Sequence, residues 1–296
     1  MPPPAVSNAA KAEADRLLAD NTSPRFRLLD SLARYADCTQ YEGRPDFFDD
    51  SRPLFERAPC IRSKVVGNAV RSHVAMVLGE GQFPCIVTGA DEDDSEVDED
   101  AGLDEAAPTI LDHGVRVIAR QTRLAVVARR LLHAAMVSKT AVAIACVRDG
   151  RLAIETTWAK WCRPTFDKAA PATVTKLEIR YPYLEEFTDP LTRRPSVRAL
   201  LYRRVIDDKA DTTYQPAKAS AGGAEPDAWT PDPLKTYEHG LGFCPVVWYP
   251  FMKQEGSVAE IDGQAIHQHH LPEIVGLDFA LSQRHRATLM TTDPLM

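Results

Sequence analysis

Three histidines near the end of the chain are the residues best suited to chemistry. His267 and His269 are two positions apart, a spacing that puts both side chains on one face of a strand, and His270 follows directly. Two imidazoles and a carboxylate such as that of Asp262 would supply three ligands for zinc or manganese. The sequence therefore leaves open a metal-dependent nuclease or hydrolase. The competing interpretation is a polar connector ahead of Pro272.

Other catalytic signatures are missing from the sequence. It has no Gly-x-Ser-x-Gly nucleophile motif, no phosphate loop ending in Gly-Lys-Ser/Thr and no glycine-rich dinucleotide fingerprint. The six cysteines are scattered without a Cys-x-x-Cys pair, which argues against a zinc ribbon and favours reduced thiols. We therefore predict a protein that is not an enzyme and that needs no cofactor or bound metal.

The charge of the chain is concentrated in one short segment. Ten of the 42 acidic residues lie between Asp91 and Glu105, where no Lys or Arg occurs. The run lacks the ligand spacing of a calcium-binding loop, and self-repelling charge predicts a mobile loop over 91–107. Without these ten acids the net charge changes from -7 to +3. A body so close to neutral is not expected to hold DNA by an extensive electrostatic contact.

The elements that must position these residues follow from hydrophobic periodicity. Helical patterns precede strand patterns, which predicts an α+β fold with peripheral helices, a mostly antiparallel sheet and a long exit helix at the end. The helices are predicted over Lys11–Leu18, Phe26–Ala36, Ser63–Leu78 and, as one long element, Pro108–Ser138. Two hairpins are predicted to turn at Asp149-Gly150 and at 189–196. A segment poor in aliphatic residues, 209–232, is predicted to be a flexible excursion.

Prolines constrain the last strand and the exit helix. Pro245 and Pro250 each remove a ladder donor, so the strand over 237–249 is predicted to lie at a sheet edge. The helix after Pro272 carries two apolar seams, which means that it must be packed on two sides. The first seam contains Ile274, Leu277 and Leu281, and the second contains Val275 and Phe279.

A stripe of small or weakly polar residues runs between the two seams. It contains no Lys or Arg and consists of Glu273, Gly276, Ala280, Gln283 and Ala287. In a ring of identical subunits the seams would contact the neighbours and this stripe would face the channel. The alternative is that small residues allow close helix packing inside one subunit.

The order of these elements resembles that of the portal proteins of tailed bacteriophages. The resemblance is carried by a Gly-x-x-Pro-Val-Val strand, a polar linker and a Leu-Asp-x-x-Leu-Ser helix, after upstream helices and hairpins in the same order. The matching residues are Gly242, Pro245, Val246 and Val247 in the strand and Leu277, Asp278, Leu281 and Ser282 in the helix.

The resemblance implies a role and a division of the chain. Portal proteins form a dodecameric ring at one capsid vertex, and double-stranded DNA passes through its channel non-specifically. The implied partners are further copies of the chain, the major capsid and scaffolding proteins, the terminase motor and the head-tail connector. The implied location is the virion, with assembly in the host cytoplasm and no membrane contact. Residues 1–251 would form the wing, and 252–296 would form a linker and the first stem helix.

Part of the portal pattern is missing from this sequence. A clip, a returning stem helix and a crown would follow residue 296 in a whole portal subunit. One further interpretation therefore stays open beside the ring subunit and the metal enzyme. It is a monomeric adaptor that binds a capsid or tail protein.

Overall fold

The fold is an α+β arrangement of helices and two antiparallel sheets, as the sequence predicts. The computed structural model describes residues 23–79, 110–148, 150–188, 195–218, 229–253 and 261–292. The helices among these residues are α1 (Pro24–Ala36), α2 (Val65–Leu78), α3 (Ile110–Gln121), α4 (Leu124–Ser138) and α5 (Leu271–Thr292). Predictions for Lys11–Leu18, for the acidic run 91–107 and for the turn at 189–194 fall outside the described residues.

The strands form two separate sheets. They are β1 (Thr140–Arg148), β2 (Arg151–Trp158), β3 (Cys162–Phe166), β4 (Val174–Thr188), β5 (Pro195–Ile206), β6 (Ala210–Tyr214), β7 (Ala217–Lys218), β8 (Pro231–Glu238) and β9 (Val246–Pro250). One sheet has the order β2-β1-β9, and the other has the order β3-β4-β5-β6-β8 with β7 paired to β5. Strand β9 lies at the edge of the first sheet and pairs with β1, which confirms its predicted edge position.

The long helix predicted over Pro108–Ser138 is wrong, because the chain forms two helices there. Between α3 and α4 the backbone of Arg123 has φ 52°, in the left-handed region that a continuous α-helix excludes. The Thr122 hydroxyl donates a hydrogen bond of 2.8 Å to the Ile118 carbonyl, so it competes with the backbone donors at the break. Ile118, in the last turn before the break, is 46% exposed.

The described parts of the segment 209–232, residues 209–218 and 229–232, include strands that were not predicted, while residues 219–228 lie outside the described residues. Residues 210–214 form β6, and its buried Asp211 accepts hydrogen bonds of 2.7 and 2.6 Å from Arg204 on β5. A buried ion pair thus replaces the aliphatic contacts whose absence suggested a flexible excursion. The strand predicted over 237–249 is also wrong, since β8 ends at Glu238 in one sheet and β9 begins at Val246 in the other.

Two clusters of buried apolar residues hold the elements together. The first lies between the two sheets and α1, and it includes Leu29, Ile144, Leu177 and Trp248. The second joins α1, α2 and α4 to the start of α5, and Ile274 is its contribution from α5. The exit helix is therefore fixed at its base in the same core as the peripheral helices.

Candidate functional site

The segment 261–270, which we call the connector, leads into α5 and is held tightly in the body. The Asp262 carboxylate accepts hydrogen bonds from Arg25 Nε (2.6 Å) and Nη2 (2.9 Å) and from the Thr140 hydroxyl (2.8 Å). At Gly263 an added Cβ would lie 1.8 Å from the Phe251 carbonyl oxygen, so only glycine fits between these backbones. These contacts fix the direction in which α5 leaves the body.

The histidine cluster does not have the arrangement that a metal site on a strand requires. His267 lies at the start of a 3-10 turn (Gln268–His270) and is 4% exposed, whereas His269 and His270 are exposed. Its Nε2–H donates to the Leu32 carbonyl at 3.1 Å. Because the chain turns here, the two-residue spacing does not align the imidazoles. Among the described residues no group of three His, Cys, Asp or Glu side chains is placed to hold a metal ion.

Burial and hydrogen bonding give His267 a structural role at this point. Desolvation lowers the pKa of His267, and the hydrogen bond to the Leu32 carbonyl acts in the opposite direction. A neutral imidazole that donates from Nε2 ties the connector to α1. The carboxylate proposed as its metal-binding partner, Asp262, is occupied by Arg25 and Thr140.

A pair of buried polar residues seats α5 on the chain that precedes α2. Asp278 is 0% exposed, and its carboxylate accepts hydrogen bonds from the backbone N–H of Ser63 (2.7 Å), the Tyr41 hydroxyl (3.0 Å) and Gln40 Nε2 (3.4 Å). Ser282 is also 0% exposed, and its hydroxyl oxygen accepts from Ile61 N–H at 3.0 Å. The face of α5 that packs on its own chain is therefore polar at its centre.

We call the contacts of Asp278 and Ser282 with Tyr41, Ile61 and Ser63 the polar seat of α5. The sequence prediction missed this seat because it followed apolar residues only. Ile274, Asp278 and Ser282 are four positions apart in succession, so they form one stripe along the helix. The signal was present in the Leu-Asp-x-x-Leu-Ser motif, in which two short polar residues recur at helical spacing. Such residues are poor helix formers, and their place in a helix interior indicates a tertiary partner.

Tyr41 keeps its proton in this site. Burial of the ring, together with the charge and hydrogen bond of Asp278, raises the pKa of Tyr41 well above its usual value. The hydroxyl therefore remains a donor to the carboxylate throughout the neutral range. The carboxylate of Asp278, which forms no ion pair with a described Lys or Arg, thereby stays hydrogen-bonded while buried.

The segment 44–57, which we call the 44–57 loop, covers one flank of α5. The ring of Phe47 is 1% exposed and lies 6.5 Å from that of Phe279. Farther along the helix, Arg286 donates two hydrogen bonds to Asp50, of 3.1 and 2.9 Å. The other two phenylalanines of this loop, Phe48 and Phe55, are 46% and 72% exposed.

The predicted seams of α5 differ in their surroundings. Ile274 is buried in the chain's own core, Val275 and Leu281 are partly buried, and Phe279 lies against the rings of Tyr41 and Phe47 of its own chain. Leu277 differs from them because it is 41% exposed. Contact of these residues with a neighbouring subunit stays a prediction, and Leu277 is the member most available for it.

The predicted channel-facing stripe lies on the outward face of α5. At about 100° per residue, its positions lie opposite Asp278 and Ser282. All of its members are exposed in the single chain: Glu273, Gly276, Ala280, Gln283 and Ala287. A Cβ added at Gly276 would meet no described atom within 4 Å, so no described part of the chain packs closely on the small residue there.

Comparison with known proteins adds no family to these observations. No protein-family model matches the chain. No curated protein matches it either. Within the described residues, none of the helices is long and apolar enough to cross a membrane. The structure defines the class of the protein as an α+β body from which one long, firmly seated helix extends.

Proposed function

We propose that the protein is a structural subunit of a bacteriophage portal ring, in which copies of α5 line a channel for double-stranded DNA. The observation that carries the proposal is the two-faced character of α5. One face is fixed to the body through Asp278 and Ser282, and the opposite face is exposed and has small, weakly polar residues. The α+β body, the connector and α5 also follow one another along the chain in the same order as the wing, linker and first stem helix of portal proteins.

The composition of the stripe suits passage of DNA rather than its capture. Binding to phosphates requires Lys or Arg, whose contacts release counterions and hold the duplex. The stripe from Glu273 to Ala287 contains neither, and Gly276 and Ala280 keep its surface low. A channel wall of this kind would let the duplex slide without stopping at any sequence.

The seat of α5 suits a load-bearing role. The helix is anchored at its base by Asp262 and Ile274, along its length by Asp278 and Ser282, and near its end by Arg286. A helix held at successive turns keeps its orientation when a neighbour or DNA presses against it. The proposed partners, at the portal vertex of the virion, are further copies of the chain, the major capsid and scaffolding proteins, the terminase motor, the head-tail connector protein and DNA.

Imaging and weighing the oligomer tests the proposal directly. We expect ring-shaped particles of about twelve copies by electron microscopy, with a matching mass by mass photometry. In Leu277→Asp the rings should dissociate while the thermal midpoint of the monomer falls only slightly, because Leu277 is already 41% exposed in the single chain. The matched control is Leu234→Asp on β8, where the side chain is 85% exposed.

Other outcomes would favour the alternative functions. A monomer at every concentration that nevertheless captures a purified capsid or tail protein would support the adaptor. Stoichiometric zinc or manganese that is lost in His269→Ala would support the metal enzyme. The geometry of the described residues offers no observation in favour of that enzyme, since His267 and Asp262 already have other partners.

A further inference from the structure

We propose that in the ring the 44–57 loop of one copy docks on the α5 flank of the next copy that carries Leu277, Leu281 and Arg284. This inference rests on the proposed function and names the two surfaces that meet. It is carried by two different exposed surfaces on opposite flanks of α5, an aromatic one with Phe48 and Phe55 and one that combines Leu277 with Arg284. The occupant of each patch is a second copy of this chain.

The loop is held in a fixed shape by its own hydrogen bonds. Arg57, which is 7% exposed, donates from Nε to the Arg52 carbonyl (2.7 Å) and from Nη1 to the carbonyl of Phe47 (3.1 Å) and to Asp50 (2.7 Å). The Ala58 N–H donates to the Pro45 carbonyl at 2.7 Å and closes the loop at its base. A loop that is ordered before it binds loses little entropy on docking.

The outer side of this loop presents aromatic and aliphatic side chains to solvent. Phe48 is 46% exposed, Leu54 is 37% exposed and Phe55 is 72% exposed. Arg44 Nη1 donates to the Phe55 carbonyl at 3.3 Å, so the backbone that carries this ring is fixed. A large exposed ring on a rigid backbone has the form of an interface anchor.

The receiving flank of α5 faces away from the loop. Phe279 and Arg286 are seven positions apart and share the flank that the loop covers, because seven residues are about two turns. Leu277 and Arg284 are also seven apart, and they share the other flank. Leu277 is 41% exposed, Leu281 is partly buried, and Arg284 is exposed.

Within one copy the two surfaces cannot meet. Phe55 cannot reach Leu277 of its own chain, because the loop is fastened to the far side of α5 by Phe47 and Asp50. Two different patches on opposite sides of one subunit generate a head-to-tail interface, which closes into a ring where the rotation between neighbours closes and gives an open filament where it does not. An interface of a patch with itself would instead give a dimer.

Charge complementarity supports the same pairing. Glu56 follows Phe55 in the short helix Leu54–Glu56 and is exposed. Arg284 lies on the receiving flank beside Leu277 and is also exposed. Within the described part of the chain neither side chain forms an ion pair. Docking of Phe55 near Leu277 and Leu281 would bring opposite charges together across the interface.

A charge swap tests the pairing in the whole chain. Assembly is followed by mass photometry across a concentration series for wild type, Glu56→Arg, Arg284→Glu and the double variant. Each single reversal should raise the concentration of half-assembly about tenfold or more, since it places like charges together, and the double variant should restore most of the loss. The thermal midpoint of the unassembled chain should not change, because both side chains are exposed.

The outcomes separate this inference from the proposed function. If wild type forms rings and the single reversals assemble as well as wild type, or the double variant fails to recover, the surface pair is wrong and the ring stands. If wild type forms no ring, both fail. Phe55→Ala gives an independent measurement that should weaken assembly, while Leu234→Ala on β8, 85% exposed, should not.

Discussion

The buried carboxylate of Asp278 should be the side chain on which the position of α5 depends most. In Asp278→Ala two donors lose their acceptor, the partly buried Ser63 N–H at 2.7 Å and the buried Tyr41 hydroxyl at 3.0 Å. Each unsatisfied buried donor costs about 1–3 kcal/mol. The contact from Gln40 is long, at 3.4 Å, and we give it little weight.

The expected loss in free energy of unfolding is smaller than the sum of these costs. Removing the carboxylate also removes the cost of desolvating a buried charge, and water can enter the space that it leaves. We therefore expect Asp278→Ala to lower the free energy of unfolding by about 2–4 kcal/mol. Asp278→Asn keeps one oxygen acceptor, and the Tyr41 hydroxyl can turn to accept from the new amide. Its loss should be about 1–2 kcal/mol.

Urea denaturation of the unassembled chain, followed by circular dichroism, measures both losses at constant slope. The matched control is Gln283→Ala on the exposed face of the same helix, which should change stability by less than about 0.5 kcal/mol. If Asp278→Ala were as stable as this control, the polar seat would not hold α5. In that case the apolar contacts of Ile274 and Phe279 would have to be sufficient on their own.

Two further predictions concern the connector and the base of α5. Gly263→Ala should destabilise the protein by about 2 kcal/mol or more in the same assay, because its Cβ would meet the Phe251 carbonyl oxygen at 1.8 Å. The control Gly276→Ala should instead stabilise the protein by about 0.5–1 kcal/mol, because the added Cβ meets no described atom within 4 Å there. An equal effect of the two substitutions would contradict the close packing at Gly263. Burial lowers the pKa of His267, so the imidazole binds a proton more readily in the unfolded chain than in the folded one. The stability that His267 contributes is therefore complete above the unfolded-state pKa of about 6.5, and it is lost as the pH falls through the lower folded-state pKa. His267→Gln should therefore reduce the drop in urea midpoint between about pH 7 and 5, while part of the drop should remain because the pKa of His133 is lowered in the same direction.

Local sequence signals predicted the fold class and many of the element positions. Helix α1, the hairpin that turns at Gly150 and the edge strand β9 follow from capping, turn and proline rules, which act over a few residues. The break at Arg123 could not be predicted, because the surrounding apolar pattern continues through it. A single left-handed residue interrupts a helix without changing its composition.

The candidate site could be predicted only in part, because its contacts join distant segments. The exposed stripe around Gly276 and Ala280 follows from helical periodicity alone. The seat does not, because Asp278 meets Tyr41 and Ser63 across more than 200 residues of sequence. A buried aspartate and an exposed one have the same sequence signal, and only the donors brought to it by the fold distinguish them.

The polar seat also bears on why α5 can have an outward face so poor in large side chains. An amphipathic helix usually holds its place by burying an apolar stripe at least about 100° wide, which requires large side chains along that face. Here Asp278, Ser282 and Arg286 take over much of that task through directed hydrogen bonds on a narrow face. The remaining circumference is free of the requirement to bury bulk. The same helix can therefore offer a flank with Leu277 to a neighbour and a low, uncharged surface at Gly276 and Ala280 to the space beyond.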